Sequence, residues 1–154
     1  MSKRKKWKLL DRKLVYDGSP YIEIYKDKII LPSNEIIEDY HKIKVNNAVM
    51  LLIQDSKKKL MIYEEYRHGI GKVSYTFPAG GIEKGETVYK ASKRELLEET
   101  GFSAKKSNIV KKYIVSGSYK FSELYYVSMH ELEKISNPIK KDMENPNIIW
   151  LSKT

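Results

Sequence analysis

The stretch from Pro78 to Phe102, "PAGGIEKGETVYKASKRELLEETGF", decides what the rest of the chain must be built around. Thr87 can accept a hydrogen bond from a first-turn amide and so cap a helix, and Gly101 is placed for the left-handed residue that ends one. The expected helix runs to about Thr100. At about 3.6 residues per turn, Glu95, Glu98 and Glu99 are related by i, i+3 and i, i+4 spacings, so their carboxylates converge on one stripe. Like charges at that spacing cost a surface helix only roughly 0.2–0.5 kcal/mol per pair, so a solvated acidic face is one account of them. A hard divalent cation is the other: Mg2+ takes oxygen ligands and favours one or two carboxylates shared with substrate phosphates. Ahead of the helix, Gly80 and Gly81 allow the backbone to turn sharply and to approach a ligand closely. Arg94, always charged, can neutralise and orient a neighbouring carboxylate, with Glu86 the candidate.

Outward from this helix the chain has the texture of strands. "PYIEIYKDKII" (20–30) and "NEIIEDYHKIKV" (34–45), rich in Ile and Tyr and separated by "LPSN", predict an antiparallel hairpin. "NNAVMLLIQ" (46–54), the turn "DSKKK" and the return "LMIYEEY" (60–66) predict a second one. "VSYTF" leads into the Pro-Ala-Gly-Gly turn, and "IVKKYIV", "ELYYVSM" and "NIIWL" are later strands. Strands flanking one strong helix make an α+β chain, with a change of texture near residue 46 that separates an N-terminal strand subdomain (1–45) from the rest (46–154).

Composition sets the outer limits. The 154 residues, 41% apolar and 32% charged, suit a soluble globular protein with a real core. No apolar run approaches the roughly 18 residues of a membrane-spanning helix, which argues against a membrane partner. "MSKRKKWKLL" lacks the apolar stretch and cleavage site of a signal peptide, which argues against secretion. The absence of cysteine excludes disulfides and thiol catalysis and agrees with a reducing cytoplasm. The net charge of +9 sits in Lys3, Arg4, Lys5, Lys6 and Lys8 and in pairs such as Lys105 with Lys106, as on a solvated surface, with attraction of a phosphate-bearing substrate the second reading and nucleic acid not favoured. His41, His68 and His130 are dispersed, without the spacing of a metal site, and Trp150 is expected to fill core.

The order Gly80, five residues, Glu86, seven residues, Arg94, Glu95, Leu96, one residue, Glu98, Glu99, one residue, Gly101, Phe102 fits the signature of the Nudix hydrolase family at every specified position. The chain resembles that family on this ground. The resemblance implies the Nudix fold, a mixed β-sheet sandwiched by helices, and hydrolysis of a nucleoside diphosphate linked to another moiety, cut at the pyrophosphate with Mg2+ or Mn2+. It implies metal ligands in the carbonyl of Ala79 and in Glu95, Glu98 and Glu99, and a catalytic group of Glu98, Arg94 and Glu86. A base from a late loop is also implied. Glu144 in "DMENPNIIW" occupies a similar place, and Glu123 in "KFSELYY" is its competitor on the substrate side.

"WKLLDRKLVYDGSPYIEIYKDKIILP" (7–32) and "LMIYEEYRHGIGKVSYTFPAGGIEKGE" (60–86) resemble the ADP-ribose pyrophosphatase branch of the family. That branch is usually a homodimer whose N-terminal strands are exchanged, so a nucleoside diphosphate sugar would meet residues of both copies. By this resemblance Arg67 lies near the pyrophosphate, the alternative being a strand-end ion pair with Glu64 or Glu65. Trp7 and Tyr21 lie in the region the branch uses for the base, and pack a dimer interface in the other reading. Two departures stand out: "VSGSYKF" lacks the proline common beyond the box in ADP-ribose enzymes, and no C-terminal helix follows "IIWLSKT". An RNA 5′ pyrophosphohydrolase and a non-catalytic metabolite-binding module are the alternative functions.

Overall fold

The computed structural model describes residues 5–139 and 146–152. In chain order its elements are β1 (Lys8–Gly18), β2 (Ile22–Ile30), β3 (Ile36–Val45), β4 (Ala48–Ile53), β5 (Leu60–Arg67), β6 (Lys72–Thr76), β7 (Ala79–Gly81), α1 (Val88–Thr100), β8 (Phe102–Ile114), β9 (Lys120–Phe121), β10 (Glu123–Lys134) and β11 (Asn147–Leu151), with a 3-10 turn at His68–Ile70. They fall into two units. One holds the residues up to Asn46 together with Ile114–Glu123, and the other holds Asn47–Tyr113 and the residues from Leu124 on.

The first unit is a sheet of order β1-β2-β3-β9. The expected hairpin is there, with Ile22 opposite Val45 and Ile30 opposite Ile36; Asn34 supplies the left-handed residue of its turn (φ 67°). β1 adds antiparallel to β2, and β9 lies parallel to β3, where the Ile43 amide donates to the Tyr119 carbonyl at 2.6 Å. Ile29 and Asp27 are the buried residues of β2. Asp27 is held by Arg12, whose Nε and Nη2 each donate to one carboxylate oxygen at 2.7 Å, and this bidentate bond keeps the Asp27 carboxyl below the ordinary aspartate range. A depressed carboxyl stabilises the folded state above its unfolded pKa and ceases to do so as pH falls through its folded value. Because water reaches Arg12, the pair is worth about 1 kcal/mol. Urea unfolding at pH 7 and pH 3 is therefore expected to show a smaller acid-induced loss in Asp27→Asn than in the wild type. Equal losses would mean that this pair does not sense pH.

The second unit has two sheets, β7-β4-β10-β8 and β11-β5-β6. In the first, β4 runs parallel to β10 and antiparallel to β7, so the sheet is mixed. In the second, β5 is antiparallel to both neighbours. The expected hairpin of β4 with β5 is not formed: after the turn the two strands keep a single bridge, Gln54 with Leu60, and pass into different sheets. The turn itself is as local chemistry dictates, with the Asp55 carboxylate accepting from the amides of Lys57 (2.9 Å) and Lys59 (2.8 Å) and Lys58 at φ 63°. What separates the strands is burial. Val49, Leu51 and Ile53 of β4 are fully covered by Val127 and Met129 of β10, Met61 and Tyr63 of β5, and Ala91 and Leu96 of α1. Full burial of one such side chain stabilises by roughly 1.5–3 kcal/mol, far more than one extra ladder bond. Trp150 packs partly buried against this core, as expected.

α1 begins and ends where the sequence predicts. Thr87 Oγ1 accepts from the Lys90 amide at 3.3 Å, and Gly101 caps the C-terminus at φ 69°. The end of the helix is also held from outside: Lys134 Nζ donates to the Thr100 carbonyl (2.8 Å), the amides of Ile135 and Ser136 to that of Gly101 (2.9 and 3.1 Å), and the Ile139 amide to that of Glu98 (2.8 Å). α1 is the one α-helix among the described residues, and it lies beside the mixed sheet β7-β4-β10-β8. No helix among the described residues is long and apolar enough to cross a membrane.

Candidate active site

Arg94 organises the acidic face of α1. Its Nε and Nη2 donate to the two oxygens of Glu86 at 3.1 and 3.0 Å, the pairing expected from sequence. Nη1 donates to Glu95 at 2.6 Å and to Glu98 at 3.3 Å, and Nη2 also reaches the Gly81 carbonyl at 2.8 Å. One guanidinium thus ties the helix to the loop before it and to β7. The loop is shaped for this, with Gly85 at φ 82° and the Glu83 amide donating to Glu86 at 3.1 Å. The Arg94 hydrogen bonds draw the Glu86 carboxyl below the usual glutamate range.

Gly80 and Gly81 serve differently from the expectation of a sharp turn. Both lie in β7, paired with Val49 and Ala48, and neither has a left-handed φ. Gly80 is required because a Cβ there would come within 1.9 Å of the Glu95 carboxyl carbon, while Gly81 offers its carbonyl to Arg94. The clash would be with the tip of a flexible side chain, so Gly80→Ala is expected to fold with little loss of stability and to push Glu95 out of place. A roughly 100-fold loss of turnover with an unchanged melting temperature is the expected reading; wild-type turnover would show that Glu95 need not sit there.

Glu95 is buried, and desolvation raises its carboxyl although Arg94 pulls the other way. Glu99 lies deeper in electrostatic terms. Desolvation first, and the charge of Glu95 second, push its carboxyl up to about 8, and its Oε2 is buried without a completed hydrogen bond. An acid in that state keeps its proton at neutral pH unless a positive charge joins it. Across from it, alternation along β5 brings Met61, Tyr63, Glu65 and Arg67 to one face. Arg67 is ion-paired with Glu65, one of the two partners considered from sequence. Tyr63 was not foreseen from sequence, although the period of two that carries Arg67 and Glu65 to this face carries it as well.

The remaining candidates fall elsewhere. Ala79 begins β7 opposite Met50. Trp7 and Tyr21 belong to the first unit, both exposed, with Trp7 edge-on to Tyr40 at 5.9 Å. Glu123 is also a residue of that unit, and Glu144 lies outside the described residues.

The donor set fits a hard divalent cation in its chemistry: carboxylate oxygens, a buried Glu99 oxygen lacking a partner, and a glycine cradle that brings Glu95 against β7. As the side chains stand, Arg94 engages Glu95 and Glu98, and no three acidic or histidine residues among those described are already at the spacing that holds a metal ion.

Residues 44–153 match the NUDIX domain family model. Similar proteins include the ADP compounds hydrolase NudE of Escherichia coli (strain K12), 29% identical over 119 residues that make up 77% of this chain and 64% of that protein. The ADP-ribose pyrophosphatase of Bacillus subtilis (strain 168) is 27% identical over 124 residues, 80% of this chain and 65% of that protein, and the phosphatase NudJ of E. coli (strain K12) is 32% identical over 106 residues, 69% and 68%. The chain spans a little under two thirds of the length of the first two relatives. A crystal structure of ADP compounds hydrolase, 24% identical, matches with a TM-score of 0.85 over 98% of this chain and 80% of the other, and so shares its fold. With the box residues gathered around Arg94 and the family model covering well over half of its length, the chain belongs to the NUDIX domain family.

Proposed function

We propose that the chain hydrolyses the pyrophosphate bond of ADP-ribose or a related nucleoside diphosphate sugar, adding one water to give AMP (or another nucleoside monophosphate) and a sugar phosphate. The observation that carries this reading is the clamped acidic cluster, in which Arg94 fixes Glu86, Glu95 and Glu98 while the adjacent Glu99 keeps a buried oxygen without a partner. The names of two relatives, an ADP compounds hydrolase and an ADP-ribose pyrophosphatase, support the substrate class.

Mg2+ or Mn2+ would be held by Glu95, Glu98, Glu99 and the Ala79 carbonyl. When bound, such an ion polarises phosphate oxygens and lowers the pKa of a coordinated water. The chain's own residues orient and move protons: Glu98 takes up a proton as water attacks phosphorus, with Glu144 or Glu123 the other candidates for that role, and Arg94 holds the acids in register. Arg67 exchanges its contact with Glu65 for the pyrophosphate, where a guanidinium can bind two oxygens at once. Trp7 and Tyr21 offer exposed flat faces for the adenine.

The chain acts as a homodimer in this reading. β1 is an edge strand that exposes Leu9, Leu10, Leu14, Val15 and Tyr16, an apolar strip suited to a second copy. Sedimentation equilibrium at micromolar concentration reads the mass, and a monomer there would remove this part of the proposal. The enzymatic reading is tested by following product release with Mg2+ from ADP-ribose, other nucleotide sugars, NADH, dinucleoside polyphosphates and 5′-triphosphorylated RNA. Preferential release of AMP from ADP-ribose is expected. Turnover of RNA alone, with steep salt dependence, would shift the assignment to the RNA enzyme, and binding of ADP-ribose without turnover would make the chain a metabolite-binding module.

A further inference from the structure

Tyr63 is placed where a phenylalanine would serve the core as well or better. Its ring is buried in the cluster that includes Leu51, Leu96 and Met129. Its hydroxyl is buried too and completes no hydrogen bond, a state that costs stability and calls for a reason. The hydroxyl faces the Glu99 carboxyl, whose Oε2 is buried and equally incomplete. The donor lies on β5 and the acceptor on α1, and both atoms are buried. The neighbouring cations are engaged elsewhere: Arg67 with Glu65, and Arg94 with Glu86, Glu95, Glu98 and the Gly81 carbonyl. A phenol is also the right kind of donor for a carboxylate that must serve a cation, because it orients the oxygens without cancelling their charge.

We infer that Tyr63 is a positioning residue for Glu99, its hydroxyl fixing the rotation of that carboxyl so that the remaining oxygen lone pairs are presented to a divalent cation. This rests on the metal-dependent reading above. It adds a residue from β5, outside the helix and its glycine loop, to the groups that set cation affinity.

The test is Mn2+ binding to the full chain, read from the electron paramagnetic resonance signal of the free ion, for wild type, Tyr63→Phe, Tyr63→Met and Glu99→Gln, with urea unfolding of each protein in the absence of metal. Tyr63→Phe is expected to weaken Mn2+ binding roughly 10-fold, the usual effect of losing an outer hydrogen bond to a ligand, while the unfolding midpoint stays the same or rises. Tyr63→Met, which fills much of the ring's space without a hydroxyl, must weaken binding to a similar extent. Unchanged affinity in Tyr63→Phe alongside weakened affinity in Glu99→Gln would overturn the role of Tyr63 and leave the metal reading standing. Weakening that appears only together with a lowered midpoint would assign the tyrosine to packing and overturn it as well. Absence of Mn2+ binding to the wild type would overturn both.

Discussion

Glutamine in place of Glu98 is expected to lower kcat on ADP-ribose by roughly two to four orders of magnitude with little change in KM, the range for loss of a positioned proton-transfer group. The substitution is nearly isosteric. Glu98 is half-buried and accepts from Arg94 Nη1 at 3.3 Å, a bond that the side-chain carbonyl of glutamine can also accept, so the helix and its clamp have no reason to rearrange. The loss should therefore appear in the rate and not in the melting curve. Steady-state kinetics paired with thermal unfolding separates the two, and undiminished turnover in a folded variant would remove Glu98 from the chemistry.

Arg94→Met should act in the opposite place, on stability first. The methionine keeps part of the volume but leaves the carboxylates of Glu86, Glu95 and Glu98 facing one another in a partly buried site, with the Gly81 carbonyl unserved. Stranding the partners of a buried ion pair costs about 3 kcal/mol, which for a chain of this size lowers the melting temperature by on the order of 10 °C. The pH response should steepen as well. In the wild type Arg94 keeps Glu86 ionised, a contribution lost only as pH falls below the ordinary glutamate range, while burial of Glu95 and Glu99 already favours their protonated forms; in the variant, protonating one of the crowded acids also relieves repulsion, so stability should rise more steeply than in the wild type as pH falls from 7 towards 5. A variant as stable as the wild type at pH 7 would show that the cluster does not need its clamp. Arg94→Lys should recover only part of the loss, since a single ammonium cannot meet both oxygens of Glu86 while reaching Glu95.

The parts of this structure that were legible in the sequence are those whose causes are local. Thr87 and Gly101 mark the ends of α1 because capping and left-handed geometry are properties of single residues. The spacing from Gly80 to Phe102 foretold the gathering of Glu86, Arg94, Glu95 and Glu98. The hairpin of β2 and β3 followed from alternating Ile and Tyr around an Asn turn. What was not legible depends on distant partners. β1 carries its apolar residues in pairs, Leu9-Leu10 and Leu14-Val15, and buries none of them, so no period announces a strand. "DSKKK" turns the chain whichever sheet the next strand joins, and only the packing of β4 against β10 decides that β4 and β5 part. Residues 114–123 join the first unit through β9, which has only Lys120 and Phe121 in register with Ile43 and Lys44, too short a pairing to leave a pattern. At the site, Gly80 was rightly singled out for the space it leaves, but the occupant of that space is Glu95, a contact across the fold that spacing cannot display.

The bonds that residues 134–139 make to the end of α1 give the acidic cluster a mechanical character. A terminal helical turn ordinarily frays independently, opening many times for each global unfolding event. Here the carbonyls of Glu98, Thr100 and Gly101 are all taken by a segment that begins 34 residues after Thr100. The last turn cannot unwind unless that segment lifts away with it, and a side chain at position 101 would strike the Ser136 carbonyl, with a Cβ only 2.0 Å from its oxygen. Glu98 and Glu99 therefore ride on a joint and not on a free end: deuterium should enter the amides of the helix terminus and of Ile135, Ser136 and Ile139 at one common, slow rate.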